Sequence, residues 1–359
     1  MITFYVDKNK TIPGVAYIPL LYPFWGIESN KNTPYPNQAF QKYGFDRACY
    51  RLTTSVAECD YILLPHNYWH VYKRQKEYIN YFVELSKKHT KPILIDARSD
   101  LEGEVSVPNS VVLKIAQFRF NQKSNEIIVP MYVDDLLEHY CDGNLSLREK
   151  KSTPVIGFAG WARLSLSLRL RTLIKELPIT LHGIFDAKQR VRHKGVLFRE
   201  KAIACLSQSR MITTNFLARP TYSGHLGTVT GDSETVRREF VANILFSDYC
   251  LDVRGDANAS CRFYEILSLG RIPLFVDTER VMPLENQINY DQFCLRINSR
   301  DLPRIGEIVR NFNDTVSPEE FQEMQKRARL VFSTMLRIDR YTVYLMEELE
   351  RRIKNFTFQ

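Results

Sequence analysis

The chain has 359 residues, of which 44% are hydrophobic and 25% charged, proportions typical of a globular protein with about two domains. Its 49 Lys and Arg outnumber its 41 Asp and Glu, and the net charge of +8 is expected to attract anionic ligands, anionic glycans or a membrane surface. The positive charge forms no dense stripe, and no zinc-finger spacing or RNA-binding aromatic motif occurs, so nucleic acid is not an expected partner.

The cysteines and the N-terminus predict an intracellular protein. The seven cysteines are scattered, form no C-x-x-C pair and mostly lie in apolar runs, which favours buried free thiols in a reducing compartment. The first residues lack the basic and apolar regions of a signal peptide, and no run approaches the ~20 apolar residues of a membrane span. We expect a cytoplasmic protein, with peripheral association at the inner face of the membrane as an alternative.

The first 145 residues alternate β-branched runs with helical spacing, which predicts an α/β domain with a parallel sheet. Because such sheets bind ligands at the carboxyl ends of their strands, Asp96, Arg98 and Asp100 are candidate site residues. The alternative is that the two acids cap a turn or a helix. A helix is expected at 75–89 and irregular structure at 11–46. The expected strands are 2–6, 61–64, 92–95, 111–118 and 127–129.

The polar segment 138–154 predicts a linker to a second α/β domain over residues 150–318. Its first strand is expected to end in a glycine turn at Gly160, followed by a basic segment that carries Arg163 and Arg169. The glycine-rich segment 221–231 is typical of a mobile loop. Beyond the turn, the expected elements are a helix at 164–177, a strand at 179–184, a short helix at 201–207 and a strand at 210–216.

The segment 246–297 has the order strand, basic loop, helix and strand, which is half of a parallel α/β sheet. The backbone N–H groups and the dipole at the start of that helix favour an anion. Glu265 lies three residues after Arg262, so both side chains leave the same helix face. An anion site beside a carboxylate suits a nucleoside diphosphate, with Glu265 on the ribose; the alternative is a plain Arg262–Glu265 surface pair. The residues expected around the helix start are Arg254, Gly255, Ser260 and Arg262.

Residues 318–355 space their apolar side chains at intervals of three or four, which predicts one long helix. Ser317 is a good N-cap, Pro318 suits the first helical position, and acids follow in the first turn. A surface helix, or one attached to a membrane through its basic residues, is the alternative to packing against the body of the protein.

The segment 246–297 also resembles the core of the exostosin family, family 47 of the glycosyltransferases. Weaker similarities precede it at 57–65 and at 155–160 with Arg163 and Arg169. Two positions depart from the family pattern: Leu284 stands where Phe is usual, and Asp256 lies in a loop that is often more basic. The matching residues are Arg254, Gly255, Ser260, Arg262, Glu265, Leu267, Gly270, Ile272, Pro273, Asp277, Pro283 and Tyr290 to Phe293.

The resemblance implies a GT-B type α/β fold, in which two Rossmann-like domains face a cleft. It implies an acceptor-side domain at 1–145, a nucleotide-sugar domain at 150–318, and a C-terminal helix at 319–359 that crosses back onto the first domain. The implied reaction is inverting transfer of a monosaccharide from a nucleotide-diphosphate sugar, UDP-linked, to a polysaccharide, glycan or lipid-linked acceptor. A partner glycosyltransferase is a further implied partner.

The general base is expected to come from the first domain. We prefer Asp100, because members of the family often carry an acid shortly after this strand, with Asp96 as the alternative. His66 and Arg98 are acceptor-side candidates; His66 and His70 lack the third ligand that a metal site needs. No compact D-x-D motif occurs, so metal-independent transfer without a cofactor is expected. The competing functions are a fucosyltransferase with a GDP donor and a non-catalytic glycan-binding or partner subunit.

Overall fold

The computed structural model describes residues 1–27, 39–72, 76–100, 103–219 and 231–357. These residues form two sheets of parallel strands with helices packed against them. The expected architecture, two parallel α/β units that face a cleft with the C-terminal segment returning to the first unit, is confirmed. Residues 220–230, which include most of the expected glycine-rich loop, lie outside the described residues.

The N-terminal sheet has the strand order β2-β1-β3-β4-β5-β6, in parallel throughout. Its central strands are buried on both faces, as is usual for a parallel sheet covered by helices. The strands are β1 (Ile2–Tyr5), β2 (Tyr50–Thr53), β3 (Tyr61–Leu63), β4 (Ile93–Asp96), β5 (Ser110–Lys114) and β6 (Glu126–Ile128). The helices of this half are α1 (Tyr22–Trp25), α2 (Tyr68–Val71), α3 (Lys76–His89) and α4 (Leu136–Tyr140).

The C-terminal sheet has the order β11-β10-β9-β7-β8, again in parallel. Its strands are β7 (Val155–Trp161), β8 (Thr213–Arg219), β9 (Tyr249–Asp252), β10 (Ile272–Asp277) and β11 (Leu295–Asn298). The helices are α5 (Leu166–Lys175), α6 (Leu177–Phe185), α7 (Gly195–Gln208), α8 (Ser233–Leu245), α9 (Cys261–Ser268), α10 (Ile305–Thr315), α11 (Pro318–Val331) and α12 (Ile338–Lys354).

The expected strand at 179–184 is wrong, because these residues lie in α6. Pro178 occupies the first turn of that helix, where a missing N–H does no harm. Strand β2 was not expected. It is an edge strand with an exposed Arg51, so it lacks the continuous apolar run of a buried strand.

The C-terminal segment is two helices rather than the single long helix expected. A wide turn at Phe332–Leu336 ends α11, and Arg337 is extended before α12 begins. The break lets each helix pack on a different half: Phe321 and Met324 of α11 join the core around β9 and β10, whereas Tyr341 and Leu345 of α12 join the core of the N-terminal sheet. The predicted cap is confirmed, since Ser317 accepts from the N–H of Glu320 at 3.1 Å.

The expected linker begins inside a helix. Leu136 and Leu137 of α4 pack with side chains of α8 and α9, so the chain contacts the C-terminal half before residue 138. Asp135 caps α4 and pairs with Arg329 at 2.5 Å and with Arg337 at 3.1 Å, which joins this segment to both C-terminal helices. The expected domain limits at 145 and 150 stay a prediction. Within the described ranges, no helix is both long and apolar enough to cross a membrane.

Main-chain hydrogen bonds also join the two halves. The N–H of Arg119 donates to the carbonyl of Glu279 at 2.8 Å, and that of Val281 donates to the carbonyl of Gln117 at 3.2 Å. Phe118 and Arg280 thereby form a short antiparallel bridge. The contact holds the segment after β5 against the segment after β10, below the cleft between the sheets.

Candidate active site

A cavity of about 330 Å³ lies between the two halves. Asp96, the last residue of β4, and Arg98 line it from the N-terminal half, and Cys261, the first residue of α9, lines it from the C-terminal half. The carboxyl end of β4 and the start of α9 therefore meet at one space. The carboxyl ends of parallel strands are the usual place for ligand sites in α/β proteins. Its aromatic lining consists of Tyr17, Tyr22, Phe40 and Tyr132.

Asp96 and Arg98 form a closely bonded pair in the wall of the cavity. The Arg98 guanidinium donates to both carboxylate oxygens of Asp96, the shortest contact being 2.6 Å, and Asn67 donates to the same carboxylate at 3.3 Å. The guanidinium also lies over the ring of Tyr132, 4.8 Å from its centre. Burial alone would lower the pKa of Arg98, but the Asp96 carboxylate raises it above its ordinary value. The pair is thus a fixed, charged part of the wall.

Asp100 lies four residues beyond β4 and faces the loop after β9. Partial loss of water and the nearby carboxylate of Asp256 raise the pKa of Asp100 above its ordinary value. A raised pKa makes a carboxylate a stronger base while it is still ionised near neutral pH. Of the two candidate bases, Asp100 is the one whose oxygens are not committed to Arg98.

Arg254 does not line the cavity. It is 1% exposed and donates to the carbonyls of Asp256 at 2.9 Å and Val191 at 3.1 Å, and to that of His193. These bonds hold the loop after β9 against the segment before α7. The predicted contact with phosphate would require them to break, so we assign Arg254 a positioning role.

Arg262 lies where the carboxyl end of β7 meets the start of α9. It donates to the carbonyl of Ala159 at 2.6 Å and packs over the ring of Phe158, 4.2 Å from its centre. A Cβ on Gly160 would come within 2.7 Å of the same guanidinium, and the φ of +142° at Gly160 is one that other residues rarely adopt. Burial lowers the pKa of Arg262. Among the described residues, no carboxylate forms an ion pair with Arg262 and its Nε has no hydrogen-bond partner.

The remaining residues of the predicted site have local structural contacts. Glu265 is not paired with Arg262, as the alternative interpretation proposed, but with Arg237 of α8 at 2.7 Å. Ser260 is the N-cap residue of α9, although its side chain makes no capping hydrogen bond. The N–H of Gly255 donates to the carbonyl of Ala259 at 3.0 Å, which closes the loop. Ribose binding by Glu265 stays a prediction.

Part of the C-terminal half of the chain is similar to a known protein family. Residues 191–312 match the family model of the exostosin GT47 domain, a range that contains β8 to β11 and the start of α9. This part of the chain, less than half of its length, is similar to an exostosin GT47 domain. Arg254, Arg262 and Glu265 all lie within this GT47 match. No curated protein sequence matches the chain at a significant level.

Several solved structures resemble the chain distantly. HepE from Anabaena in complex with UDP is 10% identical, with 84% of this chain and 80% of that chain covered and a TM-score of 0.35. HepE in complex with UDP and glucose is 9% identical, with 99% and 100% covered and a TM-score of 0.38. A glycosyltransferase from Rickettsia africae is 11% identical, with 83% and 78% covered and a TM-score of 0.37.

Besides Asp96, Arg98 and Asp100, three predicted residues lie outside the GT47 match. Arg163 follows β7 and is exposed, and Arg169 of α5 is exposed with its Nε 4.0 Å from Glu200 of α7. His66 is 1% exposed: its Nε2 accepts from the N–H of Ile12 at 2.8 Å, and its Nδ1 lies 3.0 Å from the carbonyl of Ala16. His66 precedes α2 rather than sharing a helix face with His70. Its acceptor role stays a prediction.

Sequence reasoning missed two residues that shape the GT47 site. Arg199 of α7 donates to the carbonyl of Trp161 at 2.9 Å and to that of Arg254 at 3.1 Å, which joins the loops after β7 and β9. Gly195 lies so close to this loop that a Cβ would be 2.2 Å from the carbonyl oxygen of Gly255. Neither residue belongs to the matching motif. Both come close to the loop after β9 only in the folded protein, where α7 packs against that loop.

Proposed function

We propose that the protein transfers a monosaccharide, with inversion, from a UDP-linked donor to a polysaccharide, glycan or lipid-linked acceptor, without a metal ion. The observation that carries the proposal is the shared cavity, which brings the carboxyl end of β4 and the start of the GT47 helix α9 together. In an inverting transfer, the acceptor oxygen forms a bond to the anomeric carbon as the bond to the diphosphate breaks. A carboxylate accepts the proton of the acceptor hydroxyl.

Arg262 and the first N–H groups of α9 are the proposed binding site for the diphosphate. A partly buried guanidinium without a carboxylate partner among the described residues is electrostatically incomplete, and burial already lowers the pKa of Arg262. A bound diphosphate would supply the missing negative charge and add to the favourable field at a helix N-terminus. As the sugar leaves, the charge on the diphosphate grows, so the same groups stabilise the transition state.

Asp100 is the proposed base, and the aromatic part of the cavity is the proposed acceptor site. Tyr17, Tyr22 and Phe40 offer flat apolar faces of the kind that pack on sugar rings. The Tyr132 hydroxyl is buried, with no hydrogen-bond partner among the residues the structure describes, so a sugar hydroxyl would satisfy it. Asp96 and Arg98 fix the position of that wall.

The test is nucleotide binding by the native protein and by Arg262→Ala. UDP should raise the melting temperature of the native protein, because a ligand that binds the folded state stabilises it by mass action. Arg262→Ala should weaken UDP binding about tenfold to a hundredfold, the usual value of a charge-assisted hydrogen bond. Arg262→Lys should recover only part of the affinity, since an ammonium lacks the planar fork.

Arg238→Ala is the matched control, because Arg238 is exposed on α8 and pairs with Glu234 one turn earlier. It should leave nucleotide binding unchanged. Stabilisation by GDP rather than UDP would replace the proposal with a fucosyltransferase-type donor. If neither nucleotide stabilises the native protein, and no donor sugar is hydrolysed, the enzyme proposal fails in favour of a non-catalytic subunit.

A further inference from the structure

Helices α5 and α6 present apolar stripes to solvent. In α5 the exposed side chains Leu166, Leu170, Leu173 and Ile174 follow the spacing i, i+4, i+7, i+8, and α6 repeats it with Leu177, Leu181, Ile184 and Phe185. This spacing gathers the side chains on one helix face, which in most globular proteins is the face that packs on the core. Here Leu166 is 80% exposed, Ile174 72% and Phe185 92%.

The stripes are fixed in place by polar contacts on the opposite side. Glu176, between the helices, accepts from the N–H of Lys194 at 2.8 Å and lies 2.6 Å from Nδ1 of His193. Arg190 donates to the carbonyl of Gly183 at 2.6 Å. Within the two helices and their junction, the buried residues are Thr172, Glu176 and Gly183, none of them a large apolar residue. The pair is therefore anchored with its apolar side turned outwards.

The same segment holds most of the net positive charge. Residues 163–194 contain eight Lys and Arg but two acids, a net charge of +6 in a chain whose total is +8. Both acids are used internally: Glu176 binds the segment before α7, and Asp186 accepts from the N–H of Lys188 at 3.0 Å. Arg171 and Lys175 are exposed on α5, to one side of its stripe. Large exposed apolar side chains gathered on one face are typical of an interaction site.

We propose that α5 and α6 form a docking surface for an anionic lipid bilayer. The two stripes would enter the boundary between headgroups and acyl chains, while Arg171, Lys175 and the neighbouring bases bind lipid phosphates. Charge selects this occupant, because an apolar face within a segment whose net charge is +6 complements an anionic membrane. The inference rests on exposure and charge, and it holds whichever donor the GT47 domain uses.

The test is sedimentation of the full-length protein with vesicles of phosphatidylcholine alone or with about 30% phosphatidylglycerol. Binding should require the anionic lipid and weaken as salt is raised, since screening weakens the attraction of exposed charges. Leu170→Gln with Phe185→Gln should reduce the partition coefficient at least about tenfold. Arg171→Gln with Lys175→Gln should reduce it about 25-fold, from about fivefold for each base near the surface.

The control pairs Leu330→Gln with Lys326→Gln on α11, where Leu330 is 59% exposed and Lys326 is also exposed. It should leave vesicle binding unchanged. As an independent readout, the fluorescence emission of the tryptophan introduced by Phe185→Trp should shift to shorter wavelength with anionic vesicles but not with vesicles of phosphatidylcholine alone. Equal melting temperatures and equal stabilisation by UDP across the variants would show that neither folding nor the nucleotide site has changed.

Absence of vesicle binding, or binding that the α5 and α6 substitutions leave intact, would overturn the proposal. So would equal binding to both kinds of vesicle. If the native protein is an oligomer that Leu170→Gln with Phe185→Gln dissociates, and no vesicle binds, the stripes belong to an interface with a second copy of the chain. None of these results depends on UDP binding, so the function of the GT47 domain and the docking surface are tested separately.

Discussion

A buried guanidinium is stable only where its N–H groups meet acceptors, and Arg254 and Arg262 satisfy this condition differently. Arg254 donates to three carbonyl oxygens of two loops, so its charge is already used in holding them together. Arg262 has one carbonyl and an aromatic face. The difference favours loop positioning for Arg254 and supports the proposed anion binding by Arg262, although the sequence motif treats them alike.

Gly160 should be intolerant of a side chain. Gly160→Ala would strain the backbone at φ +142° and bring a Cβ within 2.7 Å of Arg262. We expect the free energy of unfolding to fall by about 1–3 kcal/mol and UDP binding to weaken as Arg262 moves. Gly143→Ala is the control, because φ is +74° there but no atom lies within 4 Å of the added Cβ. Gly143→Ala should lower the stability but leave UDP affinity unchanged. If Gly143→Ala and Gly160→Ala weaken UDP binding equally, the role of Gly160 is contradicted.

Asp100→Asn should lower kcat about 10²- to 10⁴-fold with little change in donor binding, as expected for loss of a general base. Because the pKa of Asp100 is raised, activity should fall with acid at a higher pH than for an ordinary aspartate. Asp256→Asn removes the neighbouring negative charge, so it should move that acid limb to lower pH. An unchanged pH–rate profile in Asp256→Asn would exclude Asp100 as the titrating base.

The sequence predicts residues well where local chemistry decides their position. Asp96 and Arg98 follow an apolar strand directly, and the structure places both in the cavity wall. It cannot predict which distant group a side chain meets. Glu265 pairs with Arg237, 28 positions earlier, and Arg254 bonds to Val191 across a separation of 63 residues. Those partners depend on how helices settle on the sheet.

At the scale of elements, the N-cap of α11 offers a simple stability test. Ser317→Ala removes the acceptor of the Glu320 N–H and should lower the free energy of unfolding by about 1 kcal/mol. Ser333→Ala is the control, since Ser333 is half-buried and its hydroxyl donates to the carbonyl of Leu330 instead of capping a helix. Denaturant midpoints compare the two; equal midpoints would show that the cap contributes nothing.

Element boundaries were predictable where polar signals mark them, and element type failed where periodicity is ambiguous. Ser317 and Pro318 marked the start of α11 correctly. Residues 179–184 alternate apolar and small or polar side chains, which indicates a strand, yet the i, i+4, i+7, i+8 stripe of α6 is also present. The break at Arg337 was not foreseeable, because the apolar spacing continues through it while the packing partner changes from one half to the other.

At the scale of the whole molecule, Glu138 joins three segments. Its carboxylate pairs with Lys42 at 2.8 Å and with Arg337 at 3.0 Å, and accepts from the Tyr43 hydroxyl. Burial would raise the pKa of Glu138, but the bonds from Lys42 and Tyr43 and the charge of Arg337 lower it to about 2. The ionised carboxylate therefore helps to hold the N-terminal half, α4 and the start of α12 together.

A depressed folded-state pKa stabilises the fold above the unfolded pKa of about 4.3 and ceases to do so as pH falls toward about 2. Glu138→Gln should therefore lower the free energy of unfolding at pH 7. It should also make that free energy fall less steeply as the pH decreases from about 4.3 toward about 2. The measurement is the urea midpoint from pH 7 to pH 3. Glu84→Gln, which removes an exposed pair with Lys87, is the control and should follow the native curve.

The overall architecture was predictable because parallel sheets buried on both faces leave continuous apolar runs, and the motif around Arg262 marked the GT47 half. The contacts that join the two halves were not predictable, because nothing in the sequence distinguishes Asp135, Glu138 and Arg337 from ordinary surface residues. Their importance comes from lying where the chain passes from one half to the other.

The bridge between Phe118 and Arg280 limits how the protein can move. Main-chain hydrogen bonds such as that from Arg119 to Glu279 have a narrow range of length and direction. The two bridged segments therefore cannot slide past each other as easily as two layers of side chains can. A movement that separates the two sheets at this bridge would break its main-chain hydrogen bonds. At this bridge the two halves are tied backbone to backbone, so the segments after β5 and β10 should move together.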